Sequence, residues 1–129
     1  MKYIEIKEYL KDKEINSLVK ISKKEIEENF RNMIGVPLDY LKFIHDIGVG
    51  NIDNRINIKG YLFNFDDIGL EDIYSVPENI KFFGDNFSGD FIGFDLLKKD
   101  EVIEFWHESQ NIYYTNKSFE EYIKALIII

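Results

Sequence analysis

At 129 residues, with 45% hydrophobic and 16% aromatic side chains, the chain is long enough for one domain with a full core and too apolar to be a disordered segment. With no cysteine it holds neither a disulfide framework nor a thiolate metal site, which fits a reducing compartment. The formal charge of −8 is concentrated in the second half: residues 1–60 carry 11 Lys/Arg against 10 Asp/Glu, and residues 61–129 carry 5 against 14. Such a surface repels nucleic acid and favours a cationic partner. No basic-then-apolar leader opens the chain, and the longest aliphatic run, residues 125–129, is far shorter than a bilayer span, so the expectation is a soluble, cytoplasmic protein.

In chain order, Tyr3, Ile6 and Leu10 recur at helical spacing and predict an amphipathic helix over residues 2–13. Residues 19–21 read as a short strand or extended lead-in. Ser22 followed by Glu25 is a capping box that starts a second helix, with Ile26, Phe30, Met33 and Ile34 on one face and Gly35 as its left-handed close. Pro37 and Asp39 open a third helix with an apolar stripe of Tyr40, Phe43, Ile44 and Ile47, ended by Gly48 and Gly50. Strands follow over residues 55–58 and 61–65, with Gly60 expected as the turn between them. Residues 66–76 read as a short helix or an irregular loop over the core, with their acids facing out.

Residues 81–97 organise the sheet. Two apolar runs flank Gly84, Asp85, Asn86, Phe87, Ser88, Gly89 and Asp90, a composition suited to a backbone-satisfied turn. Beyond it, Ile92, Phe94 and Leu96 alternate with Phe91, Gly93 and Asp95, the first set expected in the core and Gly93 marking a bulge or a close backbone approach. A turn at residues 98–100 leads to a strand over 102–107, in which Ile103 and Phe105 face opposite to Glu104 and Trp106. Helices covering that second face would bury Trp106, whereas an exposed indole beside acids would make an interface anchor. A short strand over 112–114 and a second capping box, Ser118 with Glu121, bring in a closing helix with Phe119, Tyr122, Ile123 and Leu126 on one face. The class is α+β, a single domain over residues 1–129: N-terminal helices, an antiparallel sheet of about five to six strands, and a C-terminal helix.

Little in this chain points to chemistry. His45 and His107 are isolated from any ligand-spaced cluster, and Asp85, Asp90 and Asp95 lack the alternate-position oxygens of a calcium loop, so no metal site is expected. The phosphate-cradling, dinucleotide and nucleophile-elbow patterns are all absent. Neither cofactor nor catalytic residue is therefore assigned, and Asp85 and Asp90 read first as turn caps.

Four blocks in order carry a resemblance. They are the capped helix with Ile26, Glu27 and Phe30; Gly35, Val36, Pro37, Leu38, Asp39 and Tyr40 with Phe43 and Ile44; Phe83, Gly84 and Asp85 through Gly89 and Asp90 to Phe94, Asp95 and Leu96; and residues 102–107 followed by Ser118, Phe119, Glu120, Glu121 and Tyr122. Over residues 22–126 the chain resembles the SUKH superfamily, the Smi1/Knr4-like proteins, with residues 1–21 as an N-terminal helix and lead-in. The family more often has Leu where Val36 stands and a Gly-Gly pair where Gly48-Val49-Gly50 stands.

The resemblance implies a non-enzymatic immunity protein that binds and neutralises a cognate bacterial toxin, plausibly one that acts on nucleic acid. The alternative is a regulatory scaffold for endogenous proteins or peptides. An inhibitor of a nucleic-acid-binding toxin gains by placing carboxylates where phosphates would sit. The expected partner-binding residues are Asp66, Asp67, Glu71, Asp72, Asp85, Asp90, Glu104 and Glu108, with Trp106 as anchor. The expected partner is a basic toxin protein, with neither nucleic acid nor membrane bound.

Overall fold

Two hydrophobic periods shape the chain, one near 3.6 in its helices and one of 2 in its strands. The computed structural model describes residues 4–12, 17–98 and 101–127, and among these lie four α-helices and six strands. Helices α1 (Ile4–Asp12), α2 (Lys23–Phe30) and α3 (Leu38–Asp46) come first. Strands β1 (Gly50–Ile52), β2 (Ile56–Phe63), β3 (Ile80–Asp85), β4 (Phe91–Asp95), β5 (Val102–Trp106) and β6 (Asn111–Tyr114) follow, and α4 (Phe119–Ile127) closes. The strands pair antiparallel in chain order, so the single α+β domain holds one six-stranded meander.

Both expected caps start their helices, the first through its serine. The Ser22 hydroxyl accepts the Glu25 amide at 3.1 Å. At α4 the exchange is reciprocal, Ser118 Oγ accepting from the Glu121 amide at 3.2 Å and Glu121 Oε1 from the Ser118 amide at 2.8 Å. Asp39 does a further job at the same place. Buried at the start of α3, it accepts the Glu120 amide at 3.0 Å and so satisfies an orphan donor in the first turn of α4, tying the two helices together.

The sheet is buried on both faces. One face lies under the helices, where Tyr40 packs its ring against Phe30, Phe83, Phe94 and Phe119 and donates its hydroxyl to the Lys59 carbonyl at 2.6 Å. The other carries Phe63, Phe82, Ile103 and Phe105 and is covered by residues 64–79, a 3-10 turn (Phe65–Ile68) and an irregular run that inserts Phe65 and Tyr74. Strand β3 feeds both cores by alternation and carries a bulge. Its pairing steps from Phe82 opposite Gly93 to Gly84 opposite Ile92, so Phe83 is an extra residue on that strand. Gly93 is required there, because a Cβ would collide with the Lys81 carbonyl and the Phe82 backbone.

Several expectations are corrected. Gly60 is no turn: β2 runs through it from Ile56 to Phe63, and its bare Cα lets Ile21 approach to where a Cβ would stand 3.0 Å from Ile21 Cγ1. The expected strand at 61–65 ends at Phe63, and Phe65 belongs to the 3-10 turn. Helix α2 stops at Phe30 rather than at Gly35, leaving Ile34 89% exposed on a loop instead of on the apolar face. Gly48 closes α3 as expected, its amide donating to the Phe43 carbonyl at 3.0 Å, but Gly50 is already the first residue of β1, and a hairpin turn with Asp53 and Asn54 both at positive φ joins β1 to β2. Ile92 and Phe94 lie in the core as expected, and the alternate set, Phe91 and Asp95, is covered as well. Of the expected α1, Lys2, Tyr3 and Lys13 lie outside the described residues, as do Lys99 and Asp100 of the expected 98–100 turn.

Candidate partner-binding surface

Two turns meet at one end of the sheet. In the β3–β4 turn, Asp85 Oδ1 accepts the Phe87 amide at 3.1 Å, and Asn86 Oδ1 accepts the amides of Ser88 and Asp90 at 3.0 and 3.2 Å. These bonds satisfy a turn whose tip holds Phe87 at positive φ, half exposed. Asp85 is thus the turn cap its composition suggests. Asp90 reaches further: its Oδ1 accepts both the backbone amide (3.0 Å) and the ring Nδ1 (2.6 Å) of His107, which opens the β5–β6 turn. Burial pushes the Asp90 carboxyl up, but the bonds from His107 and Asn86, together with the His107 charge, outweigh it and hold the group below the usual carboxylate range. The carboxylate clasps two hairpins.

Beside this clasp, alternation along β5 sends Glu104 and Trp106 to the helix-covered face of the sheet. Tyr113 on β6 lies directly opposite Glu104, and so diagonal to Trp106. The Trp106 and Tyr113 rings stack with centroids 5.2 Å apart and planes at 18°. Trp106 Nε1 donates to Glu104 Oε1 at 3.0 Å, and the Tyr122 hydroxyl of α4 donates to Glu104 Oε2 at 2.6 Å. Burial, and then the Glu104 carboxylate, push the Tyr122 hydroxyl's pKa well up, so it stays a donor. Helix α4 covers the sheet only as far as this bond. Beyond it Trp106 is 42% exposed and Tyr113 49%, so coverage of that face does not bury the indole. Between the two turns Ser88, Asp90, Trp106, His107, Glu108 and Ser109 line a recess of about 340 Å³.

The acids singled out in the sequence divide among three places. Asp66, Asp67, Glu71 and Asp72 are exposed on the outside of the segment that covers the second face. Asp67 is partly occupied, its Oδ2 accepting the Asn64 amide at 2.9 Å. Asp85, Asp90 and Glu108 gather at the turn end of the sheet, Glu108 with its side chain 89% exposed. Glu104 lies on the helix-covered face with both oxygens engaged. The structure therefore brings Asp90, Glu104, Trp106 and Glu108 together and sets the 66–72 group on the opposite face. Sequence reasoning missed Tyr113 and Tyr122. The signal for Tyr113 was the four-residue connection, 107–110, which places it one diagonal step from Trp106 across the hairpin.

Among the described residues no group of His and carboxylates is placed to hold a metal ion, and no helix is long and apolar enough to cross a membrane. The model of the SMI1 / KNR4 family (SUKH-1) matches residues 14–125. No curated protein and no solved structure matches the chain.

Proposed function

Because the chain belongs to the SMI1 / KNR4 family (SUKH-1), known generally for non-catalytic immunity domains, we propose that it binds and neutralises a cognate bacterial toxin by forming a stoichiometric complex. The family match over most of the chain carries this reading. Its support lies in the exposed carboxylates of residues 66–108, a field suited to steering a basic, nucleic-acid-directed toxin onto the protein. The contribution is binding alone, and the toxin is held off its own substrate by occupation of its basic surface.

Of the acids involved, Asp66, Glu71, Asp72 and Glu108 present their charge to solvent, while Asp85, Asp90 and Glu104 also hold local structure. Co-expression with the toxin encoded beside this gene tests the proposal: restored growth and a co-purifying complex are expected, and neither rescue nor complex would sink it. Charge reversal of Asp66, Glu71, Asp72 and Glu108 together should slow association and flatten its salt dependence. Unchanged kinetics would remove the acidic surface from the account.

A further inference from the structure

An exposed indole at the end of a strand ordinarily swings among rotamers, and here it does not have that freedom. Trp106 is fixed on one side by the stacked Tyr113 ring and at its Nε1 by Glu104, itself held by Tyr122. The bonds convert a carboxylate inside the expected binding set into a support for an aromatic ring. What remains exposed of the indole borders the recess that also contains Glu108 and Asp90, and the recess has no Lys or Arg in its lining. An aromatic face beside carboxylates, ordered before any partner arrives, is the environment that a planar cation prefers. A guanidinium stacks on indole and pairs with carboxylate in one placement, which an ammonium cannot do.

Building on the toxin-binding reading, we infer that the Trp106–Tyr113 pair and its recess form the seat for an arginine side chain of the protein partner. The guanidinium stacks on Trp106 and pairs with Glu108, while Glu104 acts as a positioning residue for the indole. Aromatic anchors of this kind, rigid in the free protein, cost little ordering entropy on binding.

Trp106 is the only tryptophan, so its fluorescence reports on this site alone. The full chain is titrated at low salt with a short blocked peptide of alternating glycine and arginine, and with its lysine counterpart. The arginine peptide is expected to change Trp106 emission and to bind about fivefold more tightly than the lysine peptide. Equal affinity for both, or emission that responds to neither, overturns the inference. Tyr113→Ala and Glu108→Gln should each weaken the arginine peptide about threefold. Glu104→Ala should both shift the unliganded emission and weaken binding, and Glu104→Gln, which still accepts the indole N–H, should restore both; no difference between these two variants excludes the positioning role.

With the cognate toxin, Trp106→Ala should lose at least about tenfold in affinity, circular dichroism confirming its fold. A toxin bound equally by wild type and Trp106→Ala refutes the arginine seat and leaves the immunity reading intact. Arginine-selective binding at Trp106 in a protein that binds no toxin supports the seat and refutes the immunity reading.

Discussion

The helix-covered face of the sheet and the face under residues 64–79 bury the same kind of side chain by different means. Under the helices, aromatic rings from three helices and the sheet converge on Tyr40 and Phe119, and each helix satisfies its own backbone. On the other face, Phe63, Phe65, Phe82, Phe91 and Phe105 form as dense an aromatic cluster. Its cover, however, is a segment with few backbone bonds of its own, among them Leu70 N–H to Phe65 O at 2.9 Å and Tyr74 N–H to Leu70 O at 3.0 Å. An irregular cover stays in place through the side chains it inserts, so its stability is local and depends on Phe65 and Tyr74.

The largest effect should come from the residue between the two faces. Gly93→Ala forces a Cβ into the Lys81 carbonyl at the bulge and should cost about 3 kcal/mol or more, read as a fall in the urea midpoint; a loss under about 1 kcal/mol would mean the bulge yields. Next, Phe119→Ala and Phe65→Ala each remove a buried ring worth about 3–5 kcal/mol, yet the consequences should differ. Phe119→Ala should lower global stability by the full amount. Phe65→Ala should open its cover first, speeding hydrogen exchange at the Leu70 and Tyr74 amides well before that of β4; parallel acceleration at both would show that the two faces form one cooperative unit.

A smaller effect is set by pH. Asp95 is buried beneath the cover; burial pushes its carboxyl up, but bonds from Asn79, Tyr114 and the Leu97 amide, with the Lys98 charge, bring it below its ordinary value of 3.8. A depressed carboxylate stabilises the fold above the unfolded value, and that stabilisation is lost as pH falls through the folded one. Asp95→Asn should therefore be less stable than wild type near neutrality, with the gap narrowing in urea titrations as pH drops below 3.8. Smallest, Tyr40→Phe on the helix-covered face removes only the hydroxyl bond to Lys59 and should cost about 1 kcal/mol.

The helix starts were legible because capping boxes are local: Ser22, Ser118 and their glutamates lie within three residues of each other. So was the 81–97 hairpin, whose Gly93 carried its own steric explanation. The β1–β2 hairpin was hidden because Gly50, two residues past the glycine that does close α3, also suits a helix end and because the positive-φ turn uses Asp53-Asn54 without a glycine. Gly60 misled because a mid-strand glycine that admits Ile21 looks, in sequence, like a turn. The cover over residues 64–79 has no period to detect; only Phe65 and Tyr74 define it. For the candidate surface, proximity along the chain was a poor guide: Asp72 and Glu104 belong to one acidic stretch of sequence but to opposite sides of the sheet. Trp106 was on the right face, but its exposure depended on where α4 ends its coverage, at the Tyr122–Glu104 bond.

The bulge at Phe83 has a consequence for what variation this protein tolerates. Side-chain direction in a strand is a matter of odd and even: the neighbours Phe82 and Phe83 point to opposite cores, and the extra residue resets the count beyond them, so that Phe83 and Gly84 together oppose Ile92. Removing Lys81 would reverse parity on its N-terminal side and aim Ile80 at the wrong layer, whereas removing Phe83 would take out the bulge itself and leave both flanks in register. Homologous chains should therefore differ freely in which apolar residues fill β3 and, where its length changes, change it at the bulge, a frame set by counting rather than by chemistry.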